Sequence, residues 1–267
     1  MSRFIVQGYP AYAYTGGREY SPAPPAIVFL HGAAFDHSVW QWQSRHFAHH
    51  GFTVLAVDLP GHGRSPGTPR ASIVEMADWV AALIDAAGLA SAIVAGHSMG
   101  SLVALETAVR HAGKVQKLAL VGVSAPMPVG EAFLAAAKDD SPAALDMEAT
   151  WGLSRNSPLA RSPIPGTSLL GASRSLNARA AAGVLHGDLA ACHSWTPPMA
   201  AIRALRVPTL VVAGRRDQMT PLKASRALAA EIPGAQLVVL DAGHSMMSEA
   251  PHDVRRALGK FMGPDTR

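Results

Sequence analysis

The sequence predicts an α/β protein: a mostly parallel central sheet with flanking helices, and a small helical cap inserted after the sixth strand. Three observations carry this expectation. Short apolar runs rich in β-branched residues alternate with segments of helical period. A tight turn, Gly96-His97-Ser98-Met99-Gly100, joins one such run to one such segment. The rhythm breaks after Ser124 and resumes at Val207. The chain has 267 residues, 49% of them hydrophobic, enough for one α/β domain with a large core.

The elements follow in order. Residues 4–6 and 11–14 read as a β-hairpin joined through Gly8-Tyr9-Pro10, and Pro22, Pro24 and Pro25 mark a linker. Residues 27–30 form a buried strand that ends in His31-Gly32-Ala33-Ala34. A helix is expected over 40–50. The strand at 53–57 then runs into Asp58-Leu59-Pro60-Gly61-His62-Gly63-Arg64-Ser65. A helix at 73–87, a strand at 92–95, a helix at 101–111 and a strand at 117–123 complete the first half. From Ala125 to Ala200 no strand pattern appears. That stretch is rich in Ala, Pro, Ser and Arg, with helical patterns at 131–138, 143–151 and 177–191 and a Pro-rich crossover at 157–166. Strands return at 207–213 and 237–240. The expected division is a core of 1–124 and 201–267 with a cap of 125–200.

The turn around Ser98 has the form G-x-S-x-G. Between a strand and a helix, so tight a turn needs residues without bulk two before and two after the Ser, and Gly96 and Gly100 supply them. The turn lifts the Ser98 hydroxyl above the sheet, and the helix that follows aims its first N–H groups at the same point. Alone, such a turn is as often just a turn. Two later strand ends change its meaning. One runs into Gly214-Arg215-Arg216-Asp217, the other into Asp241-Ala242-Gly243-His244. The chain order Ser98, Asp217, His244, together with the His31-Gly32 turn and the Asp58–Ser65 loop, resembles the α/β-hydrolase superfamily. The likeness spans nearly the whole chain except the central stretch, and lies closest to its lid-bearing serine hydrolases and carboxylesterases.

The resemblance implies a role for each residue. Ser98 is the nucleophile, His244 the base that takes its proton, and Asp217 the acid that fixes the imidazole tautomer. Asp241 competes as the acid, but only three residues before His244 it is expected to brace the loop. The strand ending at Val123 is followed by Ser124-Ala125-Pro126, with no acid at the family's other usual position. Backbone N–H groups of Ala33 and Met99 are implied as the oxyanion hole, with Ala34 as the fallback. Among the other histidines, His31 and His62 belong to structural turns and His97 faces away from the substrate. His46, His49 and His50 have a metal-like spacing but no acid or Cys beside them, so a solvated helix face is expected. Asp58 is expected to cap its turn. Ala34, Trp40, Met127, Trp151, Trp195, Met219 and Met246 are candidate pocket liners, as are His186 and His193 in the cap.

Bulk properties narrow the function classes. The net charge is +4, but Lys and Arg are scattered, and the densest set (Arg203, Arg206, Arg215, Arg216) flanks a strand. Solvated surface, not nucleic-acid binding, is expected. Lone Cys192 allows no internal disulfide and fits a reducing compartment. No signal-peptide segment and no apolar run of membrane-spanning length appears, so a cytoplasmic protein is expected. The sequence lacks a His-Glu-x-x-His, a Walker loop and a dinucleotide fingerprint, so no metal or organic cofactor is expected. Ser in place of Asp at the elbow sets aside haloalkane dehalogenase and epoxide hydrolase chemistry. The expected reaction is hydrolysis of carboxylic esters of small apolar substrates through an acyl-enzyme. Lactone, thioester or C–C bond hydrolysis, perhydrolysis, hydroxynitrile cleavage and a slow-turnover ligand receptor remain open, as does the oligomeric state.

Overall fold

Among the described residues, eight strands form one sheet, in the spatial order β1-β2-β4-β3-β5-β6-β7-β8. They are β1 (Ser2–Val6), β2 (Tyr9–Tyr14), β3 (Ala26–Leu30), β4 (Thr53–Val57), β5 (Ala92–His97), β6 (Val115–Val121), β7 (Thr209–Gly214) and β8 (Gln236–Leu240). The structure, a computed structural model, describes residues 2–23, 25–154, 162 and 166–263. β1 and β2 are antiparallel, and β2 lies antiparallel to β4. From β3 onward every neighbouring pair is parallel. Strands covered on both faces read as unbroken apolar runs, which is why β3 and β7 are buried at every position. The hairpin turn is Gln7-Gly8, both at positive φ, and Tyr9 and Pro10 already pair with Val6 and Ile5. The sequence had placed those two residues in the turn.

The helices are α1 (Gln41–Ala48), α2 (Ile73–Ala86), α3 (Met99–Arg110), α4 (Glu131–Lys138), α5 (Pro142–Trp151), α6 (Leu169–Asn177), α7 (Val184–Ser194), α8 (Met199–Arg203), α9 (Leu222–Glu231), α10 (Met246–Glu249) and α11 (Pro251–Met262). Alternate residues of each strand feed two cores. Val28 and Leu30 pack with Leu83 of α2 and Leu102 of α3. Ile27 and Phe29 pack on the opposite face with Phe47 of α1 and Leu258 and Phe261 of α11. A 3-10 turn, His37–Trp40, precedes α1, so the helix expected from residue 40 begins one residue later and ends at 48.

Helices α4 to α7 all fall between β6 and β7. The helix expected over 177–191 starts only at Val184, as α7, and Asn177 instead closes α6, a helix the sequence did not lead us to expect. Gly183, just before α7, donates its N–H to both oxygens of Asp140 at 2.9 and 3.1 Å. That acceptor comes from 43 residues away, so no local pattern announces the break. The crossover expected at 157–166 lies outside the described residues, apart from Ser162 and Gly166. Among the described residues, no helix is long and apolar enough to cross a membrane.

Candidate active site

The elbow is built by steric exclusion. Ser98, between β5 and α3, sits at φ 53°, ψ −119°, a conformation that costs a non-glycine residue about 1–3 kcal/mol. A Cβ on Gly96 would stand 2.0 Å from the Gly100 carbonyl oxygen, and one on Gly100 2.5 Å from the carbonyl oxygens of Leu30 and His31. Neither position can carry a side chain while strand and helix stay this close. Ser98 N–H donates to Val121 O at 3.0 Å, and Ser101 Oγ donates to Gly96 O at 2.7 Å and accepts from Val121 N at 3.0 Å. The strained turn is thereby fastened to β6. Ser101 was not singled out by sequence.

His244 follows β8 and Asp217 follows β7. His244 Nδ1 donates to Asp217 Oδ2 at 2.8 Å, and both side chains are buried. Asp217 is held in turn by Met219 N–H (2.9 Å), Thr220 N–H (2.8 Å) and Thr220 Oγ1 (2.7 Å). With Nδ1 the donor, Nε2 is left as the basic nitrogen. It is buried and, among the described residues, has no hydrogen-bond partner. Burial opposes charge on both partners. The attraction between them and the hydrogen bonds outweigh it, so the Asp217 carboxyl is held below the usual range and the His244 imidazole above it. Asp241 points elsewhere: its Oδ1 pairs with Arg216 at 2.8 Å, and Arg216 also donates to the Asp241 and Ala242 carbonyls, so Asp241 joins the loop after β8 to the loop after β7 rather than reaching the imidazole.

The space for this pair comes from a residue that sequence reasoning passed over. Gly122, just beyond β6, has φ +62°, and a Cβ there would lie 3.1 Å from His244 Nδ1 and 3.2 Å from Cε1. Gly122 thus puts no side chain against this face of the ring. The His244 loop is fixed by two further groups. His97 Nε2 donates to the His244 carbonyl at 3.0 Å, and burial lowers the His97 pKa to about 3, so it is neutral. Its side chain does face away from the open side of the elbow, toward the backbone of the His244 loop. Glu249 accepts from Gly243 N–H at 3.0 Å with one oxygen and from Ser154 N–H at 3.2 Å with the other, clasping the end of α5 to the same loop.

The two implied oxyanion donors fare differently from their fallback. Ala33 lines the same cavity as Ser98. Met99 opens α3, where a first-turn N–H has no acceptor within the helix. The Ala34 N–H is already used: it donates to Asp188 Oδ2 at 2.8 Å. Ala34 therefore has no donor to offer, and it does not line the cavity. Asp188, on α7, also accepts from His62 Nε2 at 2.8 Å, and His62 Nδ1 donates to Pro60 O at 3.0 Å. With an acceptor at each nitrogen the His62 ring is placed to hold a proton on both. Burial disfavours the resulting charge, but Asp188 outweighs it and raises the pKa. His31 does the opposite: Nδ1 donates to Gly32 O, Nε2 accepts from Leu59 N–H, and burial keeps it neutral with a pKa of about 4.

The cavity over Ser98 is about 330 Å³. Met127, Trp151 and Met219 line it as expected, with Val129, Phe133 and Leu189. Three other expected liners do not. Trp40 is fully buried against Phe29 with its Nε1 donating to Leu30 O. Trp195 is buried with its Nε1 on Glu106. Met246 lies in the core beneath the sheet. Each satisfies packing or a hydrogen bond in the core, so none is left for a ligand. His186 and His193 also lie off the cavity wall, and His193 Nδ1 accepts from Val129 N–H. Sequence reasoning missed Glu148, a cavity residue 4% exposed. Burial pushes its pKa up to about 7, and its Oε2 has no partner, a state that costs about 1–3 kcal/mol or more.

Among the described residues, one group could offer a metal three ligands, Asp36, His37 and Asp58. Its oxygens already serve a turn. Asp58 accepts from the N–H groups of His37 (2.7 Å) and Arg64 (2.8 Å) and pairs with His37 Nδ1, while Arg179 lies 3.2 Å from Asp36.

The profile of a family described as alpha/beta hydrolase fold matches residues 25–251. An AB hydrolase superfamily protein, YisY, of Bacillus subtilis is 29% identical, over 88% of this chain and 90% of its own length. A pimeloyl-[acyl-carrier protein] methyl ester esterase of Chromobacterium violaceum is 31% identical, over 89% of this chain and 94% of its own. Among solved structures, Est816, described as an N-acyl homoserine lactone degrading enzyme, superposes with a TM-score of 0.83 at 27% identity, covering 97% of this chain and all of its own.

Proposed function

The chain belongs to the alpha/beta hydrolase fold family and is a hydrolase, and from that premise we propose that it cleaves carboxylic esters of small, mainly apolar substrates through an acyl-enzyme on Ser98. One observation carries the reading. His244 is anchored through Nδ1 to Asp217, its other nitrogen is buried with no partner among the described residues, and Thr220, which touches both Asp217 and His244, lines the same cavity as Ser98.

The steps follow from the atoms present. Ser98 Oγ attacks the ester carbonyl carbon as His244 Nε2 takes its proton. Negative charge moves to the carbonyl oxygen, where the N–H groups of Ala33 and Met99 serve as donors. Asp217 stabilises the imidazolium and keeps its geometry. The tetrahedral intermediate collapses, the C–O bond to the alcohol breaks, and the departing oxygen takes the proton from His244. Water then attacks the acyl-enzyme with His244 again as base, and the acid leaves as Ser98 regains its proton. No step calls for a metal or cofactor.

Helices α4 to α7 are read as a cap, with 125–200 as its span, because Met127, Phe133, Trp151 and Leu189 all bring apolar surface to the cavity. A cytoplasmic setting is in keeping with the single, buried Cys192. Lactone opening is the second reading. A lactone is a cyclic ester that the same steps open, and a relative described as degrading one matches this chain over its full length.

The test is turnover of p-nitrophenyl butanoate beside γ- and δ-lactones, with labelling by a fluorophosphonate. Rapid ester turnover, one labelled site at Ser98, and loss of both in a folded Ser98→Ala variant by several orders of magnitude are expected. Ser98→Ala retaining a tenth of the wild-type rate would overturn the assignment, and lactone rates far above ester rates would transfer it to the second reading.

A further inference from the structure

Glu148 takes no proton or bond in the ester chemistry and acts on His244 only through its charge, yet it stands in the wall of the reacting cavity. It lies on α5 three residues before Trp151, so both project to one face, and both line the cavity. Its neighbours in that wall include Met127, Val129, Phe133 and Leu189, which offer no hydrogen bond. Its side chain is buried, and among the described residues no group meets Oε2. The end of α5 is not free to carry it away. Ser245 N–H donates to Gly152 O at 2.7 Å, and Glu249 holds Ser154, so the helix is tied to the loop bearing His244. The carboxyl is therefore held in place relative to the reacting groups, as a specificity group needs to be.

We infer that Glu148 is a specificity-determining polar contact of this cavity and that the substrate carries a hydroxyl group, on its acyl or its alcohol part, that bonds to the Glu148 carboxyl. This rests on the ester-hydrolase reading and names the substrate within it. A hydroxyl is the fitting partner because it both donates and accepts. Burial brings the Glu148 pKa to about 7, so near neutral pH acid and carboxylate are both present. A ketone oxygen answers only the acid and an amide N–H only the carboxylate, whereas a hydroxyl answers both. A wholly apolar substrate leaves the carboxyl unmatched in both states and forfeits the contact.

Isosteric substrate pairs test this: methyl 3-hydroxybutanoate against methyl 3-methylbutanoate, and 2-hydroxyethyl butanoate against propyl butanoate. The wild-type protein is expected to prefer the hydroxylated member of at least one pair by about ten-fold or more in kcat/KM. Glu148→Gln should retain that preference and Glu148→Met should reverse it. Equal rates within both pairs, or a preference untouched by Glu148→Met, overturns the inference. If Glu148→Met does not fold, the wild-type protein decides alone. The rate on methyl 3-oxobutanoate relative to its hydroxy counterpart should fall as pH rises through 7, and a flat ratio overturns the contact. Failure of the hydrolase reading looks different: no turnover of any member and no phosphonate label on Ser98. In that case Trp151 fluorescence still reads Glu148, through tighter binding of hexane-1,6-diol than heptan-1-ol, and the reverse order removes it.

Discussion

At the scale of single residues, the acid partner of His244 is the position where two candidates separate most cleanly. Asp217 is buried and accepts four hydrogen bonds, one of them from His244. Asp241 is exposed and pairs with Arg216. Asp217→Asn should reduce kcat by roughly 10⁴-fold, because an amide can hold the imidazole in the wrong tautomer without moving the backbone. Asp241→Asn should stay near wild type in both kcat and melting temperature, since an exposed pair contributes about 0–1 kcal/mol. Steady-state kinetics on the two variants checks both. His244 also sets the pH dependence. It works as a base only when neutral. Burial lowers its pKa, but Asp217, with smaller contributions from Glu148 and Glu249, raises it above the ordinary 6.5. The acid limb of kcat/KM should therefore have its midpoint above 6.5. Glu148→Gln removes one of those negative charges, so it should move the limb to lower pH. A limb at or below 6.5 in the wild-type protein, or an upward shift in the variant, contradicts this electrostatic account.

At the scale of elements, four strand ends meet at the site. β5 delivers Ser98, β6 delivers Gly122, β7 leads to Asp217 and β8 to His244. The parallel register that sets β6 beside both β5 and β7 puts Gly122 directly under the His244–Asp217 pair. Gly122→Ala introduces a methyl at 3.1 Å from His244 Nδ1 and an alanine at positive φ. Melting temperature should fall by the equivalent of about 1 kcal/mol. The kcat should fall ten-fold or more, because the ring must move while the elbow stays fixed through Ser101. Unchanged kcat in a folded Gly122→Ala protein would show that the pair has more room than the structure gives it.

At the scale of the whole molecule, three distant segments are joined by one buried ion pair. Asp188 of α7 holds His62, from the loop after β4, and Ala34, from the loop after β3. The inserted helices are thereby pinned to the same loop that supplies Ala33. Asp188→Asn leaves a buried imidazolium without its counter-charge, a change that typically costs about 3–5 kcal/mol. The sign of its pH dependence follows from the raised His62 pKa. The stabilisation is complete below the unfolded value near 6.5 and is lost as pH rises through the folded pKa. The gap in melting temperature between wild type and Asp188→Asn should be widest at acid pH and narrow toward alkaline pH. A gap that widens with pH would mean that His62 is neutral in the folded protein.

The sequence by itself determined the parallel sheet and the elbow turn and singled out Ser98, Asp217 and His244 as candidates, because each is written within a few consecutive residues. A strand covered on both faces must be apolar throughout, and a turn that brings Gly96 within touching distance of Gly100 excludes any other residue at either position. Only the tertiary structure decided what surrounds them. Trp40, Trp195 and Met246 have the same apolar character as Trp151, Met127 and Met219, and local pattern cannot say which set faces a cavity and which a core. Ala34 could be disqualified as a donor only by Asp188, 154 residues away. Glu148 stands in an Ala-rich helix as any solvated acid would, and Gly122 resembles any strand-end glycine. Their roles come from segments brought together by long-range packing, and a single sequence records such packing in no one place.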